Sequence, residues 1–325
     1  MADEKKPKIN LAVYWGAACG GCCVSVLDVH ESLFSVVEHA DLVFWPIALD
    51  FKYKDVEAMP DGFIDVTLFN GAVRNSENEK MAILLRKKTK VLVAYGSCAH
   101  MGGIPGLANL TSKNAIFNRV YIESESTSNP ENIFPQPHFK VPEGTLELPV
   151  FYNDVKTLNQ VVNVDYYLPG CPPQTERLVE VFMAIVTGAQ LPPKGSVVGA
   201  YDKTQCDECK RKKSDKKLIK EFKRPWQIKD DGETCFLEQG VICMGPATRG
   251  GCGARCIEGN APCRGCYGPP PDVTDPGAKM MSAIATMIDS NNEDEIKKIM
   301  DTIEDPAGTF YRFSLPCSML RRKFL

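Results

Sequence analysis

The fold is decided by residues 9–23, INLAVYWGAACGGCC. The first seven residues predict a buried strand, and the glycines after them predict a turn out of it. Similar apolar runs predict four more strands, at residues 42–47, 65–69, 91–95 and 164–168. Amphipathic stretches between them predict helices at residues 24–38, 77–88 and 174–187. This alternation is typical of a doubly wound, mostly parallel α/β sheet with helices on both faces.

The alternation stops at residues 188–199, GAQLPPKGSVVG, where two prolines and three glycines interrupt it. We expect a domain boundary here, with residues 1–195 in the sheet domain and residues 196–325 in a smaller, irregular or helical domain. In that second region, residues 277–304 predict one or two short amphipathic helices. Residues 109–158 lack a clear period and predict either a partner-facing insertion or a plain loop.

Composition narrows the class of protein. The 325 residues are 44% hydrophobic and 24% charged, which excludes wholesale disorder and a membrane-embedded bundle. The net charge of −3 provides no basic field for nucleic acid. The amino terminus shows no export signal and no apolar run is long enough to span a bilayer, so we expect a cytoplasmic chain. In that reducing compartment, 14 cysteines favour metal or redox chemistry over disulfides.

One segment is strongly basic, although the chain as a whole is slightly acidic. Residues 210–224 hold nine Lys or Arg against two acids. A solvated helical face is the first interpretation, and a docking site for an acidic partner is the alternative.

Four cysteines of the first half follow directly on predicted strands. Cys19 and Cys22 form C-x2-C after the first strand, Cys98 lies in GSC after the fourth, and Cys171 lies in PGCPP after the fifth. The carboxyl ends of parallel strands meet at one edge of a sheet, and ligands bind there. The adjoining glycines let backbone approach the thiols and donate N–H groups to sulfur. We therefore expect these four thiols to meet at one point.

Eight cysteines of the second half form two groups of four: Cys206, Cys209, Cys235 and Cys243, and Cys252, Cys256, Cys263 and Cys266. The first group is spaced C-x2-C and C-x7-C, and the second C-x3-C-x6-C-x2-C. Three quartets predict three iron–sulfur clusters, and a zinc-stabilised scaffold protein is the alternative of another class. Cys23 and Cys317 are left over, and we expect Cys317 to be a buried small hydrophobe.

No catalytic residue is assigned, because the chain has no GxSxG, HExxH or Walker motif. His100, two residues after Cys98, is expected either to tune a cluster by hydrogen bonding or simply to pack.

Taken in order, these motifs resemble the small subunit of nickel–iron hydrogenases. The resemblance rests on CGGC at residues 19–22, GSCA around Cys98, PGCPP around Cys171, and CMGPAT from Cys243 followed by Cys252, and it spans residues 8–270. It implies a flavodoxin-like first domain and a cluster-rich second domain. It also implies three [4Fe–4S] clusters with these ligands: proximal, Cys19, Cys22, Cys98 and Cys171; middle, Cys252, Cys256, Cys263 and Cys266; distal, Cys206, Cys209, Cys235 and Cys243.

Two departures refine the resemblance. Cys206 stands where many members have His, and a thiolate in that place lowers the potential of a cluster. Cys256 offers the middle cluster a fourth ligand. With the absent export signal, the chain is most similar to the small subunit of the F420-non-reducing (viologen-reducing) hydrogenases of methanogens. That similarity implies three partners: a nickel–iron large subunit, a small iron–sulfur adaptor subunit, and heterodisulfide reductase.

The tandem pair Cys22-Cys23 supports an alternative. A related cluster subunit of respiratory complex I resembles the first domain, shares PGCPP and uses a tandem cysteine pair. If Cys22 and Cys23 were the ligands, Cys19 would be spare, and the chain would serve a quinone- or ferredoxin-linked oxidoreductase. That subunit has no second domain with two further quartets, which favours the hydrogenase resemblance.

Overall fold

The structure is a computed structural model that describes residues 8–214, 216 and 219–322. Within them the chain forms ten strands: β1 (Ile9–Trp15), β2 (Ala40–Phe44), β3 (Ile64–Asn70), β4 (Val73–Asn75), β5 (Thr89–Tyr95), β6 (His138–Val141), β7 (Gly144–Glu147), β8 (Phe151–Lys156), β9 (Tyr166–Leu168) and β10 (Ser196–Val197). Six of them make one parallel sheet in the order β10-β9-β5-β3-β1-β2. This is the doubly wound, flavodoxin-like strand order, as expected.

Alternation along the strands places a core on each face of the sheet. On β1, Leu11 and Val13 point into one apolar cluster, and Ala12 and Tyr14 point into another. The described helices are α1 (Gly21–Leu27), α2 (Ser32–His39), α3 (Tyr53–Ala58), α4 (Ser76–Lys88), α5 (Ser97–Met101), α6 (Lys113–Tyr121), α7 (Thr175–Thr187), α8 (Arg255–Glu258), α9 (Pro276–Ala285), α10 (Glu293–Asp301) and α11 (Pro306–Phe310). Helices α1, α2 and α7 cover the first cluster, and α3 and α4 cover the second, which is why adjacent residues of β1 are both buried.

Several predicted boundaries are wrong. The helix predicted over residues 24–38 is two short helices, α1 and α2, because the chain turns between them with His30 at φ 51°. The second strand ends at Phe44, three residues earlier than predicted, and β10 was not predicted because its two residues lie among the loop-forming prolines and glycines. Residues 109–158 are not a plain loop, since they contain α6, a β6–β7 hairpin and β8, which pairs with β4.

The second region packs around its own apolar cluster, which runs from Ile219 to Leu315 and includes the thiols of Cys243 and Cys263. Helices α9 and α10 confirm the short helices expected in the tail. The basic stretch is not helical where the structure describes it, since its residues form isolated bridges instead, at Lys212 and Lys223 among others. Residues 215, 217 and 218 of that stretch lie outside the described residues. A domain boundary at residues 195/196 stays a prediction.

The carboxyl-terminal segment returns to the sheet. Pro316 packs on Gly102 and Gly106, and the N–H of Gly103 donates to Phe313 O at 3.0 Å. Gln160 Nε2 donates to Pro316 O at 2.8 Å. The loop after α5 is therefore held by the carboxyl-terminal segment. Among the described residues, no helix has the length and hydropathy needed to cross a bilayer.

Candidate metal centres

Four thiols gather at the carboxyl edge of the sheet, and we call them the edge quartet: Cys19, Cys22, Cys98 and Cys171. Cys19 lies in the loop between β1 and α1, Cys22 in the first turn of α1, Cys98 in α5 after β5, and Cys171 after β9. Burial, with the neighbouring thiols of Cys171 and Cys19, raises the pKa of Cys98 to about 12. Burial, the other three thiols and the adjacent thiol of Cys23 raise the pKa of Cys22 as well. Each thiol therefore lies within electrostatic reach of the others, although 152 residues separate Cys19 from Cys171.

Two glycines let the backbone approach the edge quartet. Gly96 has φ +87°, and a Cβ there would overlap Cys22 Sγ. Gly103 has φ +57°, and a Cβ there would overlap Cys98 Sγ. Only glycine takes both the left-handed backbone and the close contact without strain. From the sequence, we expected several glycines to lie close to these thiols. The structure shows that Gly96 and Gly103 are the two positions where a larger residue would collide with a thiol.

Cys23 adjoins the edge quartet and contributes to the raised pKa of Cys22, but its contacts differ from those of the four thiols. Its buried thiol accepts a hydrogen bond from Asn70 Nδ2 at 3.2 Å. The thiols that raise the pKa of Cys171 and Cys98 include that of Cys19 and do not include that of Cys23.

A second set of four thiols lines a cavity of about 160 Å³, and we call it the cavity quartet: Cys252, Cys256, Cys263 and Cys266. The rest of the lining is mostly apolar, including Phe313 and Ile257. Burial, with the thiol of Cys252 as the next cause, raises the pKa of Cys266 to about 12. Burial also raises the pKa of Cys263 well above its ordinary value.

Two polar side chains hold the loop that carries Cys252. Gln205 Oε1 accepts from Cys252 Sγ at 2.8 Å. The Glu208 carboxylate accepts from the N–H groups of Gly251 at 2.9 Å and Gly253 at 3.1 Å. Neither role was predicted, although both residues lie within the QCDEC motif that the cysteine spacing singles out.

The third set, the loop quartet, lies on a 3₁₀ turn and irregular loops: Cys206, Cys209, Cys235 and Cys243. Burial raises the pKa of Cys206 to about 12, with the other three thiols adding to it and Lys213 opposing it. Burial raises the pKa of Cys243 to about 11, and the thiols of Cys235 and Cys209 contribute. These four thiols are therefore also neighbours of one another.

Direct contacts join the three sets in series. Cys171, in the edge quartet, also lines the 160 Å³ cavity of the cavity quartet, together with Cys266. Ser97 Oγ lies 2.6 Å from Cys266 O. The N–H of Cys263, in the cavity quartet, donates to Cys243 Sγ in the loop quartet at 3.3 Å. The cavity quartet thus lies between the other two.

The donor set suits a group that binds thiolates. Burial and mutual repulsion raise the pKa of thiols in all three sets, so several thiolates coexist there only beside a strongly cationic group. All-cysteine quartets bind iron–sulfur clusters, and tetrahedral zinc takes the same ligands. Within the described residues, no three His, Cys, Asp or Glu side chains converge as they would on a single ion.

Two further residues, Cys317 and His100, were the subject of predictions. Cys317 is exposed although its neighbours Pro316 and Ser318 are buried, so the prediction of a buried small hydrophobe is wrong. His100 is half-buried, its ring lies 4.7 Å from that of Tyr167, and burial lowers its pKa to about 4. Packing is therefore the observed role of His100.

Comparison with known proteins defines the class as an oxidoreductase subunit of an iron–sulfur family. A family described as NADH ubiquinone oxidoreductase, 20 Kd subunit, matches residues 19–185. The iron–sulfur subunit of the F420-non-reducing hydrogenase of Archaeoglobus profundus is 43% identical, covering 97% of this chain and 98% of its own length. The chain belongs to this family of F420-non-reducing hydrogenase subunits, and it is a subunit of an oxidoreductase.

Two further relatives extend over nearly the full chain. The corresponding F420-non-reducing hydrogenase subunit of Methanothermobacter marburgensis is 38% identical over 97% of both chains. That of the vhu F420-non-reducing hydrogenase of Methanocaldococcus jannaschii is 36% identical, over 97% of this chain and 99% of its own. Among solved structures, a chain of an NAD+-reducing [NiFe]-hydrogenase in the H2-reduced state covers 57% of this chain and 96% of its own, with 29% identity and a TM-score of 0.49.

Proposed function

We propose that this chain conducts electrons from H2 oxidation in a nickel–iron large subunit, through three [4Fe–4S] clusters, to an iron–sulfur adaptor subunit and on to heterodisulfide reductase in the cytoplasm. The observation that carries the proposal is the serial arrangement of the three quartets: Cys171 lines the cavity of the cavity quartet, and the N–H of Cys263 donates to Cys243 Sγ. Family membership supports a hydrogenase large subunit as the partner.

In this proposal each set of thiols has one role. Cys19, Cys22, Cys98 and Cys171 would hold the proximal cluster; Cys252, Cys256, Cys263 and Cys266 the middle one; and Cys206, Cys209, Cys235 and Cys243 the distal one. The clusters supply one-electron redox chemistry when bound. The chain's own residues keep these groups in series, donate N–H groups to sulfur, and surround the middle site with apolar side chains that exclude water.

The position of Cys23 bears on the complex I alternative. A tandem ligand pair needs Cys23 to face Cys98 and Cys171, and the thiol of Cys23 instead bonds Asn70. Cys19 does lie within electrostatic reach of both. This supports Cys19 as the fourth ligand of the proximal site.

The first test is the metal content of the anaerobically purified hydrogenase complex. Three four-iron clusters require about twelve irons in this subunit, with matching acid-labile sulfide. Zinc without sulfide would establish the scaffold alternative and reject the proposal. Hydrogen-dependent viologen reduction by the isolated chain would also contradict it, because the proposal places hydrogen activation in the large subunit.

The second test concerns the direction of transfer. Replacing Cys206→Ser should impair electron delivery to the acceptor while hydrogen–deuterium exchange by the large subunit continues. The matched control is Cys317→Ser, since Cys317 belongs to no quartet. Loss of both activities in Cys206→Ser, with normal behaviour of the control, would count against a distal position for Cys206.

A further inference from the structure

Arg264 stands between two sets of thiols. It lies in the sequence Cys263-Arg-Gly-Cys266 and lines the 160 Å³ cavity of the cavity quartet. Its side chain also lines a second, larger cavity of about 330 Å³, together with Arg224 and Glu304. It belongs to the lining of both cavities and so forms part of the wall between them.

The guanidinium has no protein counter-ion within residues 8–214, 216 and 219–322, where no carboxylate or carbonyl accepts a hydrogen bond from it. The neighbouring cations differ. Arg224 Nε donates to Glu304 Oε2 at 3.0 Å, and Arg312 Nε donates to Gly308 O at 3.2 Å. A half-buried cation without an anionic partner is costly, so its surroundings must supply negative charge.

Thiolates that hold a cluster would supply that charge from two sides. Arg264 lines the cavity of the cavity quartet, and the N–H of the residue before it, Cys263, donates to Cys243 Sγ of the loop quartet at 3.3 Å. Arg264 therefore lies where the two quartets adjoin, and burial, followed by the charges of Arg312 and Arg224, lowers its pKa.

We infer that Arg264 is a positioning residue for electron transfer, whose fixed positive charge offsets the negative charge of the cavity and loop quartets and raises their reduction potentials. The inference rests on the proposed function. Arg264 stays protonated while one electron, supplied by hydrogen oxidation, passes between the two sets, so no proton is taken up or released there. Net charge is among the factors that set the potential of an iron–sulfur site.

The test is a redox titration of the intact hydrogenase complex, followed by electron paramagnetic resonance. Arg264→Gln should shift the midpoint potentials of two iron–sulfur signals to more negative values and leave the third, from the edge quartet, unchanged. Arg264→Lys keeps the charge and should stay close to the wild type. Arg312→Gln removes a nearby charge that lines neither cavity, so it should give a clearly smaller shift.

Each outcome decides one question. Wild-type complex without iron and sulfide in this subunit rejects the proposed function. Normal iron content in Arg264→Gln with unshifted potentials, or an equal shift in Arg312→Gln, overturns the role of Arg264 alone. Loss of iron from Arg264→Gln and Arg264→Lys together shows a merely structural role and also overturns it. If only Arg264→Gln loses iron, the charge requirement is supported.

Discussion

The two regions of the chain assemble their thiols in opposite ways. In the first region, a parallel sheet with a complete apolar core on each face brings Cys19, Cys98 and Cys171 to one edge. In the second region, eight cysteines within 61 residues lie on loops and short helices, and Cys243 and Cys263 are themselves part of the apolar core. The apolar core of the sheet forms largely without the edge quartet, whereas the core of the second region includes thiols of its own quartets. Removing iron from the thiols should therefore destabilise the second region more than the first.

The largest expected effect is that of removing iron. Chelation under reducing conditions should increase amide hydrogen exchange over residues 205–266 by at least about two orders of magnitude, because metal binding and folding are coupled where ligands form the core. The amides of β3 and β5 should keep their protection and serve as the internal control. Equal loss of protection in both regions would remove the contrast between them.

A substitution at the sheet edge tests the site of the first region. Gly96→Ala places a Cβ against Cys22 Sγ at a left-handed backbone position, so we expect loss of about one third of the iron and about 1–3 kcal/mol of stability. Gly188→Ala is the matched control, since Gly188 has φ +72° and its Cβ would meet nothing within 4 Å. It should cost about 1 kcal/mol and no iron. Iron measurement and urea unfolding distinguish the two, and equal iron contents would contradict the close-approach argument.

The pH dependence of iron retention should be shared by the two regions. Burial raises the thiol pKa both at the edge, for Cys98, and in the cavity quartet, for Cys266. Protons then compete with iron for these thiols, so retention should fall as the pH falls from about 9 to about 6.5. The measurement is iron retained against a chelator of known affinity at each pH. Variants Cys98→Ser and Cys256→Ser, each lacking one site, should give parallel curves, and a flat curve for either would contradict the argument.

The smallest effect concerns the contact between the regions. Ser97 Oγ lies 2.8 Å from Gly170 O and 2.6 Å from Cys266 O, and its single proton donates to one of them. Ser97→Ala leaves a buried carbonyl without that donor and should lower the free energy of unfolding by about 1–2 kcal/mol. Thr187→Ala, which removes a hydroxyl that bonds Met183 O at the exposed end of α7, should cost only a few tenths of a kcal/mol. Equal costs in urea unfolding would mean that Ser97 does not couple the regions.

The sheet was predictable because strand burial is a local signal. The strand predictions at Ile9–Trp15 and residues 91–95 fall on observed strands, since both faces of those strands are buried and give continuous apolar runs. The β6–β7 hairpin gives no such signal, because its residues are almost all exposed, including Phe139 and Leu146. Local pattern therefore reveals only those elements that bury an apolar face.

The grouping of thiols was predictable in part, and their surroundings were not. The carboxyl-edge rule brings Cys19 and Cys171 together from sequence alone, because it needs only strand order. That Cys263 donates its N–H to Cys243 Sγ, and that Arg264 lies where two sets adjoin, depends on loop conformations that no periodicity encodes. The ligand assignments themselves stay predictions until iron is measured.

The return of the carboxyl-terminal segment to the sheet has a consequence for synthesis. Gly103, beside Cys98, is held by Phe313 O, and Asn109 Nδ2 donates to Arg321 O at 3.0 Å. On the ribosome, the sheet can form once β10 has emerged, but the loop beside Cys98 is held in place only after residues 313–321 have followed. The first site in the sequence is thus among the last to be completed during translation.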